Sequence, residues 1–117
     1  YDATKVEEIM FAPFALPPDI DSAAALTVCF RAGMAAGGMD TPVLTVSYFE
    51  GVGDTNAGGN TAALSTTVAT KSVPIAHGDV GAAGAAVTIS VLPGAHNNEA
   101  AYIYAAWIEY TRVGVGA

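Results

Sequence analysis

Positive charge is scarce in this chain. Lys5, Arg31, Lys71 and Arg112 are its bases, set against 11 acidic residues, for a formal charge of −7 and a pI near 4.3. Four scattered bases build no phosphate-binding patch, which excludes a nucleic-acid surface. Cysteine is scarcer still. Cys29 stands alone, and one thiol makes no internal disulfide, so a disulfide scaffold is excluded. Long apolar runs are missing too. No stretch of about 18 consecutive apolar residues occurs, so no membrane partner is expected. The opening Tyr1-Asp2-Ala3-Thr4-Lys5 has neither the basic and apolar regions of a signal peptide nor an initiator Met. A removed leader and a fragment both fit that start. No Asn-x-Ser/Thr sequon and no fixed-period repeat is present.

What remains is 117 residues, the length of one domain, read as a single unit over 1–117. Charged residues make up 13%, about half the usual share. Nearly a third of the positions are Ala or Gly. The surface must therefore be built largely of Ala, Gly, Ser and Thr, with few charges to hold neighbours apart.

Period-two alternation is the strongest structural signal. Leu26, Val28 and Phe30 alternate with Thr27, Cys29 and Arg31. Leu44, Val46 and Tyr48 alternate with Thr45, Ser47 and Phe49, and Val87, Ile89 and Val91 with Thr88 and Ser90. Each predicts a half-buried strand. The aromatic and β-branched run from Tyr102 to Arg112 predicts a strand buried on both faces at first and on one face later. Weaker strands are predicted over Lys5–Phe11 and Thr61–Val73. A short helical turn is expected near Ala62-Ala63-Leu64 or over Asp21–Ala25. Pro13, Pro17 and Pro18 make residues 1–18 an extended N-terminal arm. Loops are predicted at Gly33–Pro42, Gly51–Asn60, Gly78–Gly84 and Pro93–Glu99. Five or more strands without helix alternation point to an all-β antiparallel sandwich or barrel.

No pattern of residues carries catalysis. His77 and His96 lie beside turn residues, and no Gly-x-Ser-x-Gly elbow is present. A small hydrolase would need one of these histidines beside a Ser or an acid. Cys29 sits mid-strand with Arg31 on its face, and reads as a small half-buried residue. Glu7 and Glu8 would point to opposite faces of a strand, and Asp19 and Asp21 read as solvated charges. Asp54–Asn60 is a Gly/Asn hairpin loop: Gly58 stands where a calcium ligand would be, and Ser65 where a bidentate Glu is needed. Neither Gly51-Val52-Gly53 nor Gly81-Ala82-Ala83-Gly84 continues into a phosphate loop. Trp107 and its neighbouring tyrosines could stack on a sugar ring, but Trp107 reads as core. The chain is expected not to be an enzyme, and to hold no metal and no cofactor. Apolar side chains in the arm and loops, Met10, Phe11, Phe14, Leu16, Met34 and Met39, are the candidate contacts to a partner; folding back as the chain's own lid is the other role open to them.

The Leu26-Thr27-Val28-Cys29-Phe30 strand, the Val43–Phe49 strand, a Gly/Asp/Asn loop, a Thr-rich middle and the tail Ala101–Thr111 resemble small jelly-roll modules of tailed-bacteriophage virions. In those proteins a last strand ending in a Glu-Tyr-Thr-like sequence, here Glu109-Tyr110-Thr111, closes the sandwich. The match runs from about Leu26 onward. It implies a jelly-roll β-sandwich and a structural role, as a capsid decoration (cement) protein or as a head- or tail-fibre tip module binding a host glycan or receptor. It further implies a homotrimer whose partners are the major capsid protein and copies of itself, on the outer surface of the virion. The arm Tyr1–Pro18 is the expected contact. The stretch Ala76–Ala86 departs from the pattern in its weight of Ala and Gly.

Overall fold

The computed structural model describes residues 2–3, 9–35, 41–50, 57–94 and 100–113. Among these residues nine strands follow one another: β1 (Asp2–Ala3), β2 (Ile9–Met10), β3 (Phe14–Ala15), β4 (Leu26–Met34), β5 (Leu44–Phe49), β6 (Ala57–Asn60), β7 (Ala69–Ile75), β8 (Ala86–Pro93) and β9 (Ala101–Glu109). Among the described residues the helical content is one 3₁₀ turn, His77–Asp79. The protein is all-β, and every strand pairing is antiparallel.

The strands form two sheets. One runs β1-β9-β4-β7, the other β2-β8-β5-β6, with β3 continuing the β2 lane along β8. The pairings are nested. β1 pairs with β9, β2 and β3 with β8, β4 with β7, and β5 with β6. Successive pairs fall in opposite sheets. The inward residues Leu26, Val28 and Phe30 of β4, Leu44, Val46 and Tyr48 of β5, and Val87, Ile89 and Val91 of β8 share one apolar core. This two-layer arrangement is compatible with a β-sandwich.

Three strands turn the predicted face to the core; the other face is open along β5, whereas Cys29 of β4 and Ser90 of β8 are buried as well. Elsewhere the structure corrects the sequence reading. The strand expected over Thr61–Val73 is β7 and begins only at Ala69. The residues before it carry no helical turn; they pass from β5 to the edge of β4 instead. Leu64 is fully buried, its N–H donates to the Pro42 carbonyl at 2.8 Å, and Met34 N–H donates to the Ser65 carbonyl at 2.7 Å. The path is tight at Gly33, where a Cβ would lie 3.2 Å from the Val68 main chain.

The arm is woven into the fold. Its described parts supply β1, β2 and β3, and Leu16 exchanges hydrogen bonds with the Gly84–Ala85 turn. Its prolines break the lane into short pieces without releasing it.

The tail strand is the largest correction. β9 is not buried on both faces: Tyr104 through Trp107 are exposed. Among the described residues it has one full neighbour, β4, and β1 meets it at Ala101 and Tyr102. A β-bulge also resets its parity. Ala32 lies opposite Ile103 and Arg31 opposite Ala105, leaving Tyr104 as the extra residue. Ala101 and Ile103 share the face of Met34 and Ala32, and beyond the bulge Ala106 and Ile108 share the face of Phe30 and Val28.

Candidate functional site

The two sides of the molecule are closed differently. On one side β6 and β7 meet across the sheets, where a Cβ at Gly59 would lie 3.8 Å from Val73. On the other, β9 faces β2, β3 and β8 across a cavity of about 260 Å³. Its lining is apolar throughout: Phe11 and Phe14 from the arm, Val28 and Phe30 from β4, Ile89 from β8, and the β9 stretch Ala106-Trp107-Ile108. The Phe11 and Phe30 rings stand 6.2 Å apart at an offset tilt, a favourable arrangement for aromatic pairs. Such a cavity has no means of holding a metal or an ion, and suits an apolar group.

The outer face of β9 adds an aromatic row. The Tyr102 and Tyr104 rings stand 5.9 Å apart, and Tyr104 is 61% exposed. Trp107 was expected in the core and instead is 37% exposed, its Nε1 donating to Glu109 Oε2 at 3.1 Å. The signal was present in the parity: Trp107 is two residues from Glu109 and four from Thr111, so it shares their outward face.

The candidate contact residues separate. Met10 is 62% exposed and free to meet a partner. Phe11 and Phe14 are half-buried at the cavity. Leu16, at 1% exposure, and Met34, at 4%, belong to the core and offer no contact surface. They take the lid role rather than the docking role, because bonds to the Gly84–Ala85 turn hold Leu16 inward and β4 carries Met34 inward. Met39 lies outside the described residues, as do Lys5, Glu7, Glu8, His96 and most of the Gly51–Asn60 and Pro93–Glu99 loops. Sequence reasoning missed Val28, Phe30, Ile89, Ala106 and Ile108 as cavity residues; they carry no signal beyond ordinary core patterning.

The polar candidates are engaged structurally. Asp19 accepts from Tyr110 Oη at 3.0 Å and from Arg112 Nε at 2.8 Å, fastening the segment before β4 to the chain beyond β9. Burial alone would push the Asp19 carboxyl up; the bonds from Tyr110, Arg112 and its own backbone, with the Arg112 charge, outweigh this and hold its pKa below the ordinary value. The Tyr110 hydroxyl is raised in turn, first by its bond to Asp19 and then by burial and the Asp19 charge. Asp21 accepts from Ala23 N–H at 3.0 Å and caps a turn. Cys29 lies on the outer face, opposite Trp107 and Ser72, and is buried. Burial pushes its thiol pKa up and the Glu109 charge adds to it, the reverse of what a reactive thiolate needs. His77 is exposed on the 3₁₀ turn. Among the described residues no group of three or more His, Cys, Asp or Glu could hold a metal ion, and no helix is long and apolar enough to cross a membrane.

Comparison of the chain with protein-family models, with curated proteins and with solved structures gives no match.

Proposed function

We propose that the chain is a jelly-roll structural module of a bacteriophage virion, acting as a capsid decoration protein that stabilises the head by bridging capsid subunits. The observation that carries this reading is the strand order. Taking β2 and β3 as one interrupted strand, eight strands pair first with last, second with seventh, third with sixth and fourth with fifth. A long hairpin rolled so that alternate pairs fall in opposite sheets is the jelly-roll plan, which recurs in capsid domains. Fold alone assigns no role. The role is supported by the likeness of the Leu26–Phe30 strand and the Glu109-Tyr110-Thr111 ending to virion modules, and by a surface poor in charge. The mechanism is mechanical: the protein buries surface against the shell and against its own copies, more than about 1,000 Å² in total for a specific contact. Met10 and the β9 face are the surfaces offered.

A second reading, a fibre-tip module that binds a glycan, is favoured by the outward row Tyr102, Tyr104 and Trp107. Quantitative mass spectrometry of purified particles tests both. A copy number comparable to that of the shell subunits is the decoration outcome, and a few copies per particle is the fibre outcome. Absence from the particle overturns both.

A further inference from the structure

The cavity between the arm, β4, β8 and β9 is a space that the described residues line and leave unfilled. Nothing in its wall answers to water. A buried water needs several polar partners, and the side chains around this space are those of phenylalanine, valine, isoleucine, alanine and tryptophan. The one N–H among them, the Trp107 indole, is taken by Glu109 Oε2. The interior therefore stays dry, and the atoms lining it lack part of the dispersion contact that a packed core gives. An apolar guest leaves water and restores that contact.

The walls are set before any guest arrives. Val28 and Phe30 stand on β4, which is paired with β7 on one side and β9 on the other. Ile89 stands on β8, which is paired with β5 on one side and with the β2–β3 lane on the other. Phe11 N–H donates to the Ile89 carbonyl at 3.0 Å, which ties the arm to that same wall. A site held by paired strands has little left to order on binding. The weakest wall is the piece between β2 and β3. Ala12 and Pro13 are exposed and lie outside both short strands, and Pro13 has no N–H to offer β8. Such pieces open locally at low cost, and this one gives a guest its way in through the arm.

Size, polarity and charge narrow the guest. A dry apolar cavity of about 150 Å³ takes benzene. By proportion, a cavity of about 260 Å³ takes a molecule of about ten carbon atoms. A polar group inside would find no partner, which weakens binding. An anionic head left outside would meet the Glu109 carboxylate beside Trp107 and a chain of formal charge −7. Phe11, Phe14 and Phe30 supply ring faces and edges against which a further ring packs offset or edge-on.

We propose that this cavity is a binding site for a small neutral aromatic hydrocarbon group, a single ring carrying a short alkyl chain. The site is independent of any role in a virion: it belongs to the packing of one chain.

Butylbenzene, which has that size, is the probe. Titrated into the full chain under nuclear magnetic resonance, it should give saturable shifts and intermolecular contacts to the methyl groups of Ile89, Ala106 and Ile108. Ala106→Leu, which fills the cavity from β9, should weaken binding about tenfold or more. Tyr104→Ser, which removes an exposed ring from the outer face, should leave binding unchanged. The 4-phenylbutyrate anion, the same ring and chain ending in a carboxylate, should bind about tenfold or more weakly. No saturable binding, as when another part of the protein fills the space, overturns the proposal. So do contacts to Tyr102 and Tyr104 in place of Ile89, unchanged binding by Ala106→Leu, or equal binding of the anion. Should Ala106→Leu not fold, the wild-type contacts decide: those to Ile89 and Ile108 support the site, and their absence overturns it.

Discussion

β7 and β9 flank the same strand, β4, on opposite sides. On the β7 side everything is finished within one chain. Val73 and Ile75 are buried, Thr70, Ser72 and Pro74 face out, and β6 closes the gap to the second sheet. On the β9 side the inner face borders a cavity and the outer face shows aromatic rings. Both flanks draw on the same inner residues of β4, so the contrast comes from the neighbours. An edge with polar, prolyl and lysyl residues ends a sheet; a strand of tyrosine, isoleucine and tryptophan lacks those devices.

The largest expected effect lies beneath that contrast. Phe30 is fully buried in β4 and faces the cavity. Phe30→Ala should cost about 3–5 kcal/mol, because it removes a ring and enlarges a void that is already present. Urea titration at unchanged slope measures it. The next effect separates the two flanks by sign. Ala32 is fully buried in the core opposite Ala69 of β7, so Ala32→Leu should overpack it and cost about 1–3 kcal/mol. Ala106 faces the cavity, so Ala106→Leu should stabilise by about 0.5–2 kcal/mol. Two losses of similar size would remove the difference between the flanks.

The contrast can also be broken from the other side. Lys71→Val with Pro74→Val strips the guards from β7. It should cost about 0.5–1.5 kcal/mol through the lost Lys71 bond to the Ala63 carbonyl, and should produce new concentration-dependent association, read by light scattering. The smallest effect concerns Asp19, which fastens the chain beyond β9. Its folded pKa lies below its unfolded one, so its contribution is present above the unfolded value and is lost as pH falls through the folded value. Asp19→Asn should therefore lower the melting temperature slightly near neutral pH, and the gap from wild type should close in acid.

Much of the fold was legible because alternation reports which strands have one buried face. The inward residues of Leu26–Phe30, Leu44–Tyr48 and Val87–Val91 behave as their periods require, while Cys29 and Ser90 on the other parity are buried as well. Three things were not legible. Leu64 enters the core from an irregular segment, which has no period to read. Leu16 looks like a docking residue in a proline-rich arm and is core because the arm pairs with β8 and bonds to the Gly84–Ala85 turn. The bulge at Tyr104 shifts β9 by one residue, so neither parity of the tail describes the whole strand. The candidate surface suffered most. Its rings were visible in the sequence, but their exposure depends on how many strands flank β9, and pairing is a long-range property.

Residue-resolved amide exchange compares the two flanks of β4 directly, because well-packed regions open less often. The β7 amides that bond β4, between Ala69 and Ile75, should exchange slowly, and the β9 amides that bond β4, between Ala105 and Glu109, should exchange faster, because they border the cavity. Equal protection on the two flanks, or slower exchange in β9, would contradict the contrast.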